Sequence, residues 1–223
     1  MSAAADTTDD APVGGTSGTE DTLSFHVVAD EEHDDDHAHE GGTMLGFWLY
    51  LMSDCLIFGI LFAVHAVVGQ RYAAGPAPSD LFELDMILVS TFLLLFSSIT
   101  FGFAVLKMHA RDLRGMTVWM IVTGLFGLGF LVLEVREFMH LWHLGATPMA
   151  SAFLSSFYFL VGTHGVHVAA GSLWLAVLIA QLHTTGLTPA NERRVLCLSL
   201  FWHFLDLIWI GVFSFVYLAG VLL

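Results

Sequence analysis

The sequence predicts an all-α membrane protein, a bundle of five transmembrane helices. Three observations carry that expectation. Hydrophobic residues make up 56% of the 223 and mean hydropathy is +0.74, more than a soluble domain of this length hides in one core. Five apolar segments, near residues 44–69, 83–107, 116–141, 151–183 and 195–222, each reach the ~20 residues that cross a ~30 Å hydrocarbon layer. Charge is also segregated: twelve of the 21 acids fall in the first 40 residues, which contain no Lys or Arg, although the whole chain carries a formal net charge of −14.

Residues 1–42 read as a disordered acidic tail, because a segment rich in Asp, Thr, Gly, Ala and Ser buries too little to offset chain entropy. Within it His33, His37 and His39 could tether a divalent metal weakly, but no fixed geometry is implied and a solvated tail is the simpler reading. The tail lacks the positive start and apolar run of a secretory signal. Residues 43–223 form the membrane domain.

The first span contains Asp54 and is followed by a turn-rich connector, Gly75-Pro76-Ala77-Pro78-Ser79-Asp80. In the second, Ser90, Thr91, Ser97 and Ser98 fall on one face. In the third, Gly124 and Gly127 permit close helix approach, the usual basis of association in lipid. The fourth sets a stripe of Gly162, Gly165, Ala169 and Ser172 opposite His164 and His167, which predicts protein on both sides and a central position. The fifth carries Ser199, His203, Asp206, Ile210 and Tyr217 at helical spacing, a stripe expected to face protein. Lys107, Arg111, Arg114, Arg193 and Arg194 lie in the second and fourth loops, against Arg71 alone in the first and third. The positive-inside rule therefore puts the N-terminus in the cytoplasm and the C-terminus in the periplasm. Cys55 and Cys197 both lie in apolar runs and suggest no disulfide.

Ionisable residues inside spans cost about 2.5–3.5 kcal/mol on insertion scales, so each needs a reason. At about 1.5 Å per residue, Asp54, His164, His167, His203 and Asp206 come to a similar depth. They are expected to form one buried network across the first, fourth and fifth spans. It would either fix helix register or relay protons.

A second cluster, Glu134, Arg136, Glu137, His140 and His143, closes the third span near its outer end, with Arg136 expected to be compensated by Glu134 and Glu137. Glu137-x-x-His140 has the spacing of a di-iron carboxylate motif, but that site needs two such motifs and further Glu residues, and no second one occurs. A sharper rival is bis-histidine haem between His164 or His167 and His203, which spacing permits without singling it out.

Four stretches together resemble a known family: Gly46-Phe47-Trp48-Leu49-Tyr50-Leu51-Met52-Ser53-Asp54-Cys55, Thr91 to Thr100, Val161-Gly162-Thr163-His164-Gly165-Val166-His167-Val168, and Cys197-Leu198-Ser199-Leu200-Phe201-Trp202-His203-Phe204-Leu205-Asp206. In this order they resemble subunit III of the haem–copper terminal oxidases, most closely its five-helix form in bacterial cytochrome bo-type ubiquinol oxidases. The resemblance implies a non-catalytic accessory subunit in the bacterial inner membrane, without metal or cofactor of its own. Haem and copper would sit on a partner subunit I, with subunits II and IV and bound phospholipid as further partners and no nucleic acid. The complex would oxidise ubiquinol, reduce dioxygen to water and pump protons, while this chain supports assembly, sustained turnover and proton uptake. Larger relatives have seven spans and often Glu at the position of Asp54, so their lipid-filled cleft does not carry over intact. Two other functions compete: an independent proton or ion transporter built on Asp54, His203 and Asp206, and a haem-binding, quinol-oxidising membrane cytochrome.

Overall fold

Apolar runs of this length leave the backbone one economical solution, because in hydrocarbon each N–H and C=O must be satisfied within its own segment. A computed structural model describes the backbone of residues 18–69 and 84–222, and the side chains of 42–69 and 85–220. Among the described residues there are helices and no strands. They are α1 (Gly18–Val68), α2 (Leu84–His109), α3 (Leu113–His143), α4 (Ala152–Thr185) and α5 (Pro189–Val212), then a π-helical turn (Phe213–Leu218) and the short α6 (Ala219–Leu222). Five stretches are long and apolar enough to cross a membrane: Gly42–Val68, Asp85–His109, Leu113–His143, Ala152–Thr185 and Pro189–Leu218. The chain divides into two units, Met1–Leu45 and Gly46–Leu223. Of the tail expected to be disordered, residues 1–17 and the side chains up to residue 41, those of the tail histidines included, lie outside the described residues, as does the first connector with Arg71.

Helix ends lie beyond the apolar runs because caps, not hydropathy, terminate them. The third helix starts at Leu113 instead of 116, where Asp112 accepts the Gly115 N–H at 3.0 Å. The fifth starts at Pro189 instead of 195. There Thr188 accepts the Asn191 N–H at 3.3 Å, and proline occupies the first turn, where its missing N–H costs nothing. Ser151 caps α4 through the Leu154 N–H at 3.1 Å. α3 closes on Gly145 in the left-handed region (φ 77°), with Ala146 N–H reaching Leu141 O at 3.0 Å. α2 closes in the same way on Arg111 (φ 57°), with Asp112 N–H on Lys107 O at 3.1 Å. That conformation strains a residue with a Cβ. The Arg111 guanidinium in turn reaches Glu192 at 2.7 Å and ties the second loop to the first turn of α5.

The core is built on α5. Leu198, Trp202, Leu205, Trp209, Val212 and Val216 alternate at spacings of four and three and are all buried, the pattern of a helix seam facing protein. The stripe named in the sequence is displaced from this seam: His203 and Ile210 are exposed, while Asp206 and Tyr217 are buried. The π-helical turn explains Tyr217. An inserted residue rotates everything after it by about 100°, which brings Tyr217 into phase with Trp202 and Trp209.

Small residues decide where the indoles fit. A Cβ on Gly127 of α3 would lie 2.8 Å from the Trp202 ring, and one on Gly171 of α4 would lie 3.0 Å from Phe201. The predicted face of α2 is buried at Ser90, Thr91, Ser97 and Ser98. The small-residue stripe of α4 meets α3, and its histidine face meets α1. Phe159, Val166, Leu173 and Val177 leave a third face of α4 exposed, so α4 is flanked on two sides and not enclosed.

Candidate functional site

The buried polar residues gather at three places. At the first, α1 meets α4. Asp54 is 6% exposed and its carboxylate stands 3.7 Å from Nε2 of His167. The other ring nitrogen of His167 lies 2.8 Å from Thr163 O. A carbonyl only accepts, so Nδ1 carries hydrogen and Nε2 faces Asp54. At 3.7 Å the two groups face each other without a hydrogen bond, and Asp54 Oδ2 has no hydrogen-bond partner. Phe58 packs edge-on against His167 at 5.3 Å. One turn earlier His164 is fully buried, with Trp209 at 5.2 Å and Phe130 edge-on at 5.8 Å. Neither of its nitrogens has a hydrogen-bond partner.

At the second place α3 meets α4 and the π-helical turn. Glu134 is 5% exposed, neither carboxyl oxygen has a hydrogen-bond partner, and the group fills the space beside Gly165 where a Cβ would collide with it. One turn on, Glu137 accepts a hydrogen bond from Tyr217 Oη at 3.3 Å. Arg136 lies two residues from Glu134 and is exposed on another face. The expected compensation of Arg136 by Glu134 and Glu137 does not occur. At 100° per residue Glu134 turns inward when Arg136 turns outward, and Arg136 makes no ion pair among the described residues.

At the third, α5 meets α2. Asp206 is buried against Ser98 with Oδ1 unpartnered. His203 is exposed, bonded through Nδ1 to Ser199 O of its own helix at 2.7 Å and edge-on to Phe101 at 6.3 Å.

The expected five-residue network is therefore two separate sites. Asp54, His164 and His167 come together; His203 and Asp206 lie around α5 against Phe101 and Ser98 of α2, beside the indole seam. His164 and His203 do not face one another, so the bis-histidine arrangement does not form. Among the described residues no group of three or more His, Cys, Asp or Glu is placed to hold a metal ion.

Sequence reasoning missed the contacts that organise the bundle. Trp202 Nε1 donates to Ser97 Oγ at 2.8 Å, and Ser97 in turn donates to Thr123 O at 3.2 Å, linking α5, α2 and α3. Trp209 Nε1 donates to Thr91 Oγ1 at 3.1 Å. His65 Nδ1 donates to Ser156 Oγ at 2.9 Å, since the serine hydrogen goes to Phe153 O. The available signal was two tryptophans seven residues apart inside one span.

These features define a membrane-embedded helical protein whose buried polar groups lie between its helices. Residues 24–221 match the family model described as cytochrome c oxidase subunit III, and the chain belongs to that family. Among its relatives, the cytochrome bo(3) ubiquinol oxidase subunit 3 of Pseudomonas putida is 53% identical over 186 residues, covering 82% of this chain and 90% of its own. That of Pseudomonas aeruginosa is 53% identical over 205 residues, covering 90% and 98%. The quinol oxidase subunit 3 of Bacillus subtilis is 44% identical over 179 residues, covering 80% and 88%.

Proposed function

We infer that this chain is the accessory subunit III of a bacterial ubiquinol oxidase, a complex that couples ubiquinol oxidation to dioxygen reduction. The near full-length match to relatives named as subunit 3 of such oxidases carries this reading. Haem and copper belong, on this reading, to subunit I, with subunits II and IV completing the assembly and phospholipid bound around it. The location is the inner membrane, with the N-terminus cytoplasmic and the C-terminus periplasmic. Basic residues in the second and fourth loops support that orientation. His203 supports an assembly: an imidazole exposed at membrane depth is costly in lipid and is covered by a neighbouring subunit.

Asp54 and His167 are the residues we assign to proton traffic, since a buried carboxyl on α1 and an imidazole on α4 face each other at 3.7 Å. An independent transporter is disfavoured because the titratable groups form separate sites, not one path. Copurification tests the reading: affinity capture of this chain should bring down haem- and copper-bearing partners with quinol oxidase activity. Capture of this chain alone, active in liposomes as a transporter, or a positive haemochrome test on the isolated chain, would overturn it.

A further inference from the structure

One flank of the seam between α2 and α5 faces away from the rest of the bundle. At 100° per residue Gly102 and Leu106 of α2 and His203, Leu207 and Ile210 of α5 turn to that same side, and all five are exposed. Phe101 and Ser98, which meet His203 and Asp206, form the floor of the crevice between them. His203 stands at the middle of the span Pro189–Leu218. Headgroups are therefore about 15 Å away along the membrane normal, half of a hydrocarbon core of about 30 Å.

Two features of this flank require a neighbour. The first is an unused acceptor. His203 Nδ1 lies 2.7 Å from Ser199 O, and since a carbonyl only accepts, Nδ1 carries the hydrogen. A neutral imidazole then turns a bare Nε2 outward, a nitrogen that accepts and cannot donate. Asp206 gives it nothing: the carboxyl is buried, turned to Ser98, and its own Oδ1 is unpartnered at the crevice floor. The second feature is an unused glycine. Gly124, Gly127, Gly165 and Gly171 each sit against a side chain of this same chain, whereas a Cβ on Gly102 would meet nothing within 4 Å. Small residues of this kind let a second helix approach closely in lipid.

Acyl chains carry no hydrogen-bond donor, and water is absent at this depth. We propose that this flank seats one transmembrane helix of a neighbouring oxidase subunit, packed against Gly102 and donating a hydrogen bond from a hydroxyl or N–H side chain, such as Ser, Thr or Trp, to Nε2 of His203. The seat gives a place and a chemistry to the assembly inferred above, and it rests on that reading for the complex in which the partner is found.

Photo-crosslinking and subunit retention in the intact oxidase complex test it. A benzophenone side chain in place of Gly102 should crosslink to a membrane-spanning helix of another oxidase subunit, within one turn of a residue carrying O–H or N–H. His203→Phe keeps a ring and has no acceptor; it should lower retention of this chain in the detergent-washed complex about tenfold. His203→Gln, whose carbonyl oxygen accepts, should restore retention. Gly102→Leu, which blocks close approach from outside, should lower it by a similar factor. Unchanged retention in His203→Phe or Gly102→Leu, equal loss in His203→Gln and His203→Phe, a crosslink to lipid alone, or one between two copies of this chain would overturn the assignment. Failure of the haem- and copper-bearing subunits to accompany the native chain would overturn the oxidase reading instead, and the crosslink is then read on whatever assembly carries the chain.

Discussion

The indoles buried between α5 and α2 and the ionisable side chains buried between α3 and α4 both lie at membrane depth, and their polar atoms fare oppositely, although Asp206 Oδ1 beside the indoles is also unpartnered. Along the first, each indole N–H finds a hydroxyl: Trp202 on Ser97, Trp209 on Thr91. Along the second, the Glu134 carboxyl, both nitrogens of His164 and the Ser172 hydroxyl have no hydrogen-bond partner. Satisfied groups fix register and have nothing left to exchange. Unsatisfied ones cost stability, which a membrane bundle tolerates only where the group has another use or the assembly completes it. The difference separates scaffold from working surface within one small bundle.

The comparison breaks most visibly at Trp202. Trp202→Ala empties a buried ring site and strands Ser97, and should cost about 3–5 kcal/mol, measured as loss of the chain from the purified complex and a lowered thermal midpoint. A cost under about 1 kcal/mol would mean that the indole seam does not organise the bundle.

Glycine substitutions come next. Gly127→Ala drives a methyl into the Trp202 ring and Gly165→Ala drives one into Glu134, each costing about 1–3 kcal/mol as overpacking. Adding Glu134→Ala should recover most of the loss at Gly165 and none at Gly127, a coupling that thermal denaturation of the double variants resolves.

Serines sharpen the contrast. Ser97→Ala leaves a buried indole N–H unpaired and should cost about 1–3 kcal/mol, whereas Ser172→Ala should stay within about 0.5 kcal/mol. Equal effects would erase the distinction between the seams. At the contact of α1 with α4, Asp54→Asn removes the carboxylate that faces His167. The complex should assemble normally with a modest change in oxidase turnover; complete loss of quinol oxidation with intact assembly would place the reaction centre at this site.

The smallest effect lies outside the membrane. The Gly115 N–H, and then Lys107, hold the Asp112 carboxyl below its usual range. A depressed carboxylate contributes stability above its unfolded value and loses it as pH falls through the folded one. Thermal stability should therefore dip slightly on acidification below about pH 4, and Asp112→Asn, which still caps α3, should flatten that dip.

Much of this could be read without coordinates. Segment length and hydropathy found five spans because lipid forces helices, and the small-residue faces of α2, α3 and α4 proved to be packing faces. The polar sites were half legible. Asp54 and His167 were matched by depth alone, and depth along a straight helix is a simple count. Azimuth is harder, and it moved His203 and Asp206 to the far side of α5. The π-helical turn, which sets the phase of Tyr217, leaves no periodic trace in an apolar run.

The sequence by itself determined the class, the number of crossings and the resemblance to an oxidase subunit. All of these depend on local composition and on the fixed rise of a helix. Only the tertiary structure decided which faces meet: that the indoles of α5, and not its histidine, claim the α2 hydroxyls, and that Gly165 leaves room for Glu134. Those choices depend on side-chain volume fitted across helices far apart in the chain, and no single segment encodes the shape of its partner.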